Sequence, residues 1–214
     1  MAVDGRVIRR RAKKMEQDEY QKKIRAFYEP LLAAHGDETA AVGYPEAAGQ
    51  RGRYVMLCEV GDLTKASVLD IGCGLGHLLD FLKESGFEGD YLGIDLQEDM
   101  VERARKRHPD ARFEVMDFLA DDVVIEEREF ILASGVIQHC DRSLREKMIA
   151  RMYEKCTVAA AFNAFSTWYG KHPDPRFNIS DPLEVLDYCR AYTTRLLFRH
   201  EYVAHDFSVY MYRP

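Results

Sequence analysis

Apolar positions recur along this chain with two different periods. Ile24, Phe27, Tyr28, Leu31 and Leu32 return every one to four residues and stop near His35-Gly36, which is the spacing of an amphipathic helix, with Pro30 placed to kink it. A loop marked by Gly43-Tyr44-Pro45 and Gly49 follows, and Tyr54, Leu57 and Cys58 predict a second helix ending near Gly61. Beyond it, short apolar runs at 67–71, 91–94, 112–115, 130–133 and 157–162 alternate with helix-length segments at 76–84, 98–107 and 143–155. Such alternation predicts a parallel sheet with helices on both faces. The end of the chain breaks the rule. A helix is expected after Asp181-Pro182, with Asp181 as N-cap, Pro182 at the first helical position and Leu183, Leu186 and Cys189 facing inward. Two adjacent runs, 195–202 and 207–212, then predict an antiparallel hairpin at the sheet edge, which makes seven strands in all.

Composition narrows the class. The chain has 214 residues, 47% hydrophobic and 31% charged, which suits one compact α/β domain, and no apolar run reaches the ~18 residues of a membrane span. The start of the chain lacks the apolar core of a secretory signal, so a soluble, cytoplasmic protein is expected. Five scattered cysteines with no C-x-x-C pair are expected as reduced thiols, and no ligand spacing points to a metal. A net charge of −6 argues against a nucleic-acid partner, because that affinity comes from clustered Lys and Arg. The one basic stretch, from Arg6, Arg9, Arg10 and Arg11 through Lys13 and Lys14 to Lys22, Lys23 and Arg25, reads as an arm and a solvated helix face.

The chemistry concentrates at Asp70-Ile71-Gly72-Cys73-Gly74-Leu75-Gly76, where a strand runs into a glycine turn and a helix. Glycine lets a ligand approach the backbone closely, and a helix N-terminus offers free N–H groups. Asp95 ends the next strand, about 20 residues on, where an acid can hold ribose hydroxyls. The glycines are spaced G-x-G-x-G rather than G-x-G-x-x-G, which disfavours a dinucleotide dehydrogenase. Cys73 reads as a small packing residue within the turn and Met100 as an ordinary helix core residue.

These segments resemble the class I S-adenosylmethionine-dependent methyltransferases from about Arg53 to the C-terminus. The resemblance implies a Rossmann-like, doubly wound domain over 61–214 behind a cap of basic arm and helices at 1–60. It implies S-adenosylmethionine as cofactor and S-adenosylhomocysteine as product. Asp70, Gly72, Cys73, Gly74 and Gly76 correspond to the turn around the methionine part, Asp95-Leu96 to the ribose site, and Asp117-Phe118 to the adenine site. Ser134 and Val136, in the loop after the fourth strand, correspond to the place where cofactor and acceptor meet, and Arg53 is a candidate for the cofactor carboxylate.

Acceptor-side residues follow from position at the carboxyl edge of the sheet: His139, Asn163, Ser166, Trp168, Tyr169, His200, Tyr202, His205 and Asp206. His139, His200 and His205 are the candidate general bases, acting near pH 6 to 7. The irregular segment 168–177, rich in Pro, aromatic and charged residues, reads as a lid. The expected activity is methyl transfer to O, N or S of a small molecule by a monomer or homodimer. Methylation of a protein or nucleic acid, and a non-catalytic cofactor-binding module, are the alternatives; the loop after the fourth strand lacks the N/D-P-P-Y/F pattern of adenine and glutamine methylation, and Cys140 stands alone.

Overall fold

The computed structural model describes residues 5–44, 46–170 and 174–214, with side chains from residue 18 onward. The side chains of Arg6, Arg9, Arg10, Arg11, Lys13 and Lys14, and the Lys171-His172-Pro173 part of the expected lid, lie outside the described residues. Parallel strands β1 (Ser67–Ile71), β2 (Asp90–Asp95), β3 (Arg112–Val115), β4 (Arg128–Ala133) and β5 (Cys156–Ser166) form the body of one sheet, and β7 (Leu196–His200) and β8 (Asp206–Tyr212) add an antiparallel end. The order is β3-β2-β1-β4-β5-β8-β7. Strand order reverses between β1 and β4, where two crossovers leave in opposite directions and open a crevice at the carboxyl ends.

Alternation along the buried strands loads both faces. Leu69, Ile71, Leu92, Ile94, Ile131 and Phe162 share one core with Tyr20 and Ile24 of α1 (Gly5–His35), Met148, Ile149 and Met152 of α5 (Arg142–Lys155), and Val185 and Cys189 of α6 (Pro182–Arg190). Val68, Leu132, Ala159, Ala161 and Tyr210 share the other with Tyr54 and Leu57 of α2 (Ala47–Leu57), Leu78, Leu79 and Leu82 of α3 (His77–Glu84), and Val101 and Ala104 of α4 (Glu98–Arg107). The period of two in the strands places successive residues on opposite sides, so five short runs suffice to build both layers.

Two expectations are corrected. The sheet has eight strands rather than seven, because β6 (Ile179–Ser180) pairs in parallel with Phe165 and Ser166; two residues carry no readable period. Leu183 is 62% exposed, and Pro182, Val185 and Cys189 form the buried stripe of α6 instead, with Leu186 packed beside it. The inward face starts at the proline, one residue earlier than expected, and Asp181 caps the helix by accepting from the Leu183 amide. Helix α1 runs on through Pro30 and beyond the apolar repeat at its N-terminal end, over 31 residues.

Because Ile24 is buried against the sheet-side core, Ile24→Ala should lower the free energy of urea unfolding by about 2 kcal/mol or more. An unchanged midpoint would show that α1 does not dock there.

Candidate active site

The turn after β1 crosses the end of β2. Gly72 and Cys73 donate their amides to the Ile94 carbonyl at 2.8 and 3.0 Å, and Gly74 donates to Asp95 Oδ2 at 2.9 Å. Gly72 and Gly74 have φ of +70° and +53°, a region that favours glycine. Space is equally restrictive at Gly72, where an added Cβ would sit 2.5 Å from Val136 Cγ2 in the loop after β4. The turn and that loop thus meet in contact across the crevice. Asp95 accepts a second amide, from Gln97, at 2.9 Å. Burial raises its pKa above the usual carboxylate range, against the pull of the Gln97, Gly74 and Leu96 amides.

A cavity of about 700 Å³ opens on this turn, within the usual size of small-molecule sites. Arg53, Gly72, Cys73, Gly74, Asp95, Leu96, Asp117, Phe118, Ser134 and Val136 all line it, as does Met100. Asp70 and Gly76 do not. Asp70 points to the other face of β1, where Tyr91 donates to it at 2.7 Å and burial pushes its carboxyl up to about 7. Gly76 ends the turn as the N-cap of α3, packed under His108 and Phe113. Cys73 is buried, and burial followed by the nearby Asp95 and Asp70 pushes its thiol well above the ordinary value, in keeping with a packing role. Asp117 accepts from the Leu119 amide and from Gln21 of α1, both at 2.8 Å, and Phe118 lies 5.5 Å beneath the Arg151 guanidinium. Beyond the turn, the Gly135 amide donates to Asn163 Oδ1 at 2.8 Å, so Asn163 holds the loop rather than lining the cavity.

The three histidines part company. His139 lines the cavity, is buried, and shares a 2.9 Å hydrogen bond between its Nε2 and the Tyr28 hydroxyl. Phe27 and Phe177 flank its ring at 5.1 and 5.3 Å. Burial, then Lys23 and Arg176, lower its pKa to about 3, so it is neutral at physiological pH and does not titrate near pH 6 to 7 as expected. His200 and His205 lie outside the cavity. His200 Nε2 meets Ser166 Oγ at 2.9 Å and stacks on Tyr169 at 5.4 Å, and the His205 ring is 5.2 Å from Tyr169. The cause is lateral displacement: β7 is two strands beyond β5, and of the hairpin turn only Ala204 reaches the cavity wall. Trp168 and Tyr169 stay with that outer cluster, at 52% and 37% exposure, instead of covering the cavity.

The helix over 24–32, whose apolar face the family resemblance places over the cofactor cleft, does line the cavity through Ile24, Phe27, Tyr28 and Leu31. Several other cavity residues carried no sequence signal. Tyr44, Gln50, His77 and Phe165 arrive from four separate elements. His77 opens α3 and contacts Gln50 Nε2 and the Asp37 carbonyl at 3.3 and 3.2 Å, which links α1's loop, α2 and the turn. From the expected lid, Asp174, Arg176 and Phe177 reach the cavity. Arg176 lies 4.5 Å over Phe27, and Asn178 ties the lid's end to the Gln138 and Cys140 carbonyls at 2.7 and 2.9 Å. Arg53 forms a buried bidentate pair with Asp206 through Nε and Nη2. Burial opposes its charge, but Tyr44 and Asp206 outweigh burial and hold the guanidinium above its ordinary pKa. Among the described residues no three His, Cys, Asp or Glu side chains converge to hold a metal, and no helix is long and apolar enough to cross a membrane.

Residues 68–157 match a family model described as a methyltransferase domain. The chain is 31% identical over 152 residues to Rv1506c of Mycobacterium tuberculosis (strain ATCC 25618 / H37Rv), a protein assigned to the methyltransferases; the match covers 67% of this chain and 90% of that one. It is also 31% identical over 131 residues to a trans-aconitate 2-methyltransferase of Sinorhizobium medicae (strain WSM419), covering 61% of this chain but only 46% of that enzyme. Among solved structures, magnesium protoporphyrin IX methyltransferase from Synechocystis PCC 6803 with bound S-adenosylhomocysteine superposes with a TM-score of 0.61 at 16% identity, covering 78% of this chain and 84% of that one.

The buried Asp70 makes stability pH-dependent. Its folded pKa of about 7 lies above the ordinary 3.8, so the folded state binds the proton more tightly and loses stability as pH rises from about 4 to 7. Asp70→Asn should flatten its share of that fall in a series of melting temperatures. A slope equal to the parent's would show that Asp70 ionises freely in the folded protein.

Proposed function

Because the chain belongs to the class I S-adenosylmethionine-dependent methyltransferases, we propose that it transfers the methyl group to a small molecule held beneath α1. The observation that carries this reading is the continuity of one cavity of about 700 Å³, from Asp95 and Asp117 at one end to Tyr28, His139 and Phe177 at the other. That volume suits a nucleoside cofactor beside a compact acceptor. Helix α1 roofs the cavity along its length through Tyr20, Ile24, Phe27, Tyr28 and Leu31, a wall suited to enclosing a metabolite rather than receiving a polymer. The trans-aconitate relative, which is named for a small acceptor, supports the same reading.

The cofactor end fits the group. Asp95 presents a carboxylate at the ribose position, Asp117 an acceptor for the adenine amino group, and Phe118 a ring to stack on it. Gly72 and Gly74 keep the turn bare of side chains where the methionine part would lie, which the contacts of Gly72 with Val136 and of Gly74 with Val42 require anyway. Bound there, S-adenosylmethionine supplies a methyl already made electrophilic by its sulfonium. The chain's own work is to hold the acceptor in line and to exclude water. Phe27, Phe165 and Phe177 pack edge to ring at the acceptor end and keep it dry. Neutral His139 fixes the Tyr28 hydroxyl, and the pair offers an oriented polar contact there. All five cysteines are free thiols, in keeping with action in the reducing cytoplasm.

Methyl-labelled S-adenosylmethionine incubated with the protein and a whole-cell extract should place label in the small-molecule fraction. Label confined to protein or nucleic acid overturns the reading. In calorimetry, Asp95→Ala should weaken S-adenosylhomocysteine binding by about 10- to 100-fold, the loss of charge-assisted hydrogen bonds to two hydroxyls. Equal affinity would place the nucleoside elsewhere. His139→Gln should leave the shape of the kcat/KM profile between pH 6 and 8 unchanged, since His139 does not titrate in that range.

A further inference from the structure

The two ends of the cavity differ in charge. Among the described residues, the charged lining at the cofactor end is Asp95 and Asp117, whereas at the opposite end it is Arg53, Arg176 and Asp174. Arg53 is 7% exposed and lines the cavity; its partner Asp206 is 1% exposed and lies behind it. The ion pair therefore stands with its positive end toward the cavity. Asp206 takes two of the five N–H groups of the fork, and the guanidinium carbon lies 4.8 and 4.9 Å over the rings of Tyr44 and Phe165, both of which line the cavity. Arg53 sits over the end of β5, three strands from Asp95 at the end of β2, or about 14 Å at ~4.8 Å per strand.

Among the described residues, the titratable groups at this end are already engaged. Asp206 is engaged by Arg53, Asp174 pairs with Arg176 at 2.6 Å, and His139 is buried, neutral and tied to Tyr28. Among the described residues, Asp206, Asp174 and His139 are thus poorly placed to take a proton from an acceptor, whereas an acceptor that arrives as an anion has none to lose.

We propose that the acceptor is a carboxylic acid, bound as its carboxylate with Arg53 as the recognition residue and Asp206 as the residue that positions it. The inference rests on the methyltransferase reading and names its substrate class. A carboxylate oxygen forms the new O–C bond while the methyl C–S bond breaks and its electron pair stays on sulfur. The products are a methyl ester and a neutral thioether, and no proton is released. Dispersed, planar and fork-shaped, a guanidinium matches a carboxylate in two parallel hydrogen bonds, and the aromatic walls keep that contact from water. This differs from the cofactor-carboxylate role that the sequence resemblance gives Arg53, and the two assignments are separable.

The test uses the full chain saturated with S-adenosylhomocysteine. Trans-aconitate, benzoate and octanoate are titrated by calorimetry beside their amides and the amines of matching skeleton, and the same compounds are assayed for transfer from labelled S-adenosylmethionine. At least one acid should bind and be esterified, about 100-fold better than its amide. The double variant Arg53→Gln/Asp206→Asn keeps a hydrogen-bonded neutral pair in place of the ion pair; it should weaken that acid by about 10- to 100-fold and leave S-adenosylhomocysteine affinity within about twofold. Arg53→Lys should retain the preference for acid over amide. Loss of S-adenosylhomocysteine affinity with acid binding intact overturns the proposal in favour of the cofactor role. Amides or amines that bind as well as acids, or a panel in which no acid binds, overturn it as well. Failure of the parent protein to bind S-adenosylhomocysteine would appear before any acid is added, and it sinks the methyltransferase reading itself.

Discussion

The site depends on one close contact of backbone, the passage of the glycine turn over the end of β2. Two amides of the turn close on the Ile94 carbonyl and a third on the Asp95 carboxylate, and at Gly72 the chain leaves no room for a side chain. Val136 abuts the turn from the β4 loop, which fixes the separation of the two walls of the crevice. That loop is in turn held by Asn163, the next strand's contribution. Four neighbouring strands, β2, β1, β4 and β5, thus set the cavity through these contacts, which is the kind of preorganisation that binding and transfer require.

Most of this architecture is legible in the sequence because it is periodic or local. The runs at 67–71 and 112–115 coincide with β1 and β3, and 98–107 with α4, since alternation, apolar stripes and caps are set by neighbouring residues. The glycine turn, Asp95, Asp117 and the β4 loop are legible for the same reason: each follows directly from a strand end. What the sequence hides is lateral. His200 stands at a carboxyl edge as expected, but the intervening β8 carries it away from the cavity, and His205, beside Ser166 at the head of β8, packs on Tyr169 outside it. Tyr28, Tyr44 and His77 come into the cavity from elements whose mutual placement no local pattern encodes. The two-residue β6 and the phase of α6 fail at a finer scale, where one residue's shift changes which face is buried.

Burial also rewrites the chemistry that residue type suggests. A histidine in a cleft reads as a base, yet His139 is enclosed by aromatic rings beside Lys23 and Arg176, which disfavour its charged form. An arginine before the first strand reads as a candidate for the cofactor carboxylate, and in the fold Arg53 is a buried cation that lines the cavity with Asp206 behind it. Asp70, the first residue of the glycine motif, faces away from the cavity, where Tyr91 and burial govern its proton. In each case the side chain's surroundings, rather than its identity, decide what it can do.

Helix α1 touches both ends of the cavity with polar side chains on one rigid rod. Gln21 donates to Asp117 at the cofactor end, and Tyr28 meets His139 at the other, seven residues or about 10 Å along the helix axis. A tilt of the helix that frees one of these contacts strains the other. Lifting α1 off the cavity therefore means breaking the contacts at both of its ends, so the docking of a single helix decides whether the cavity is open or closed.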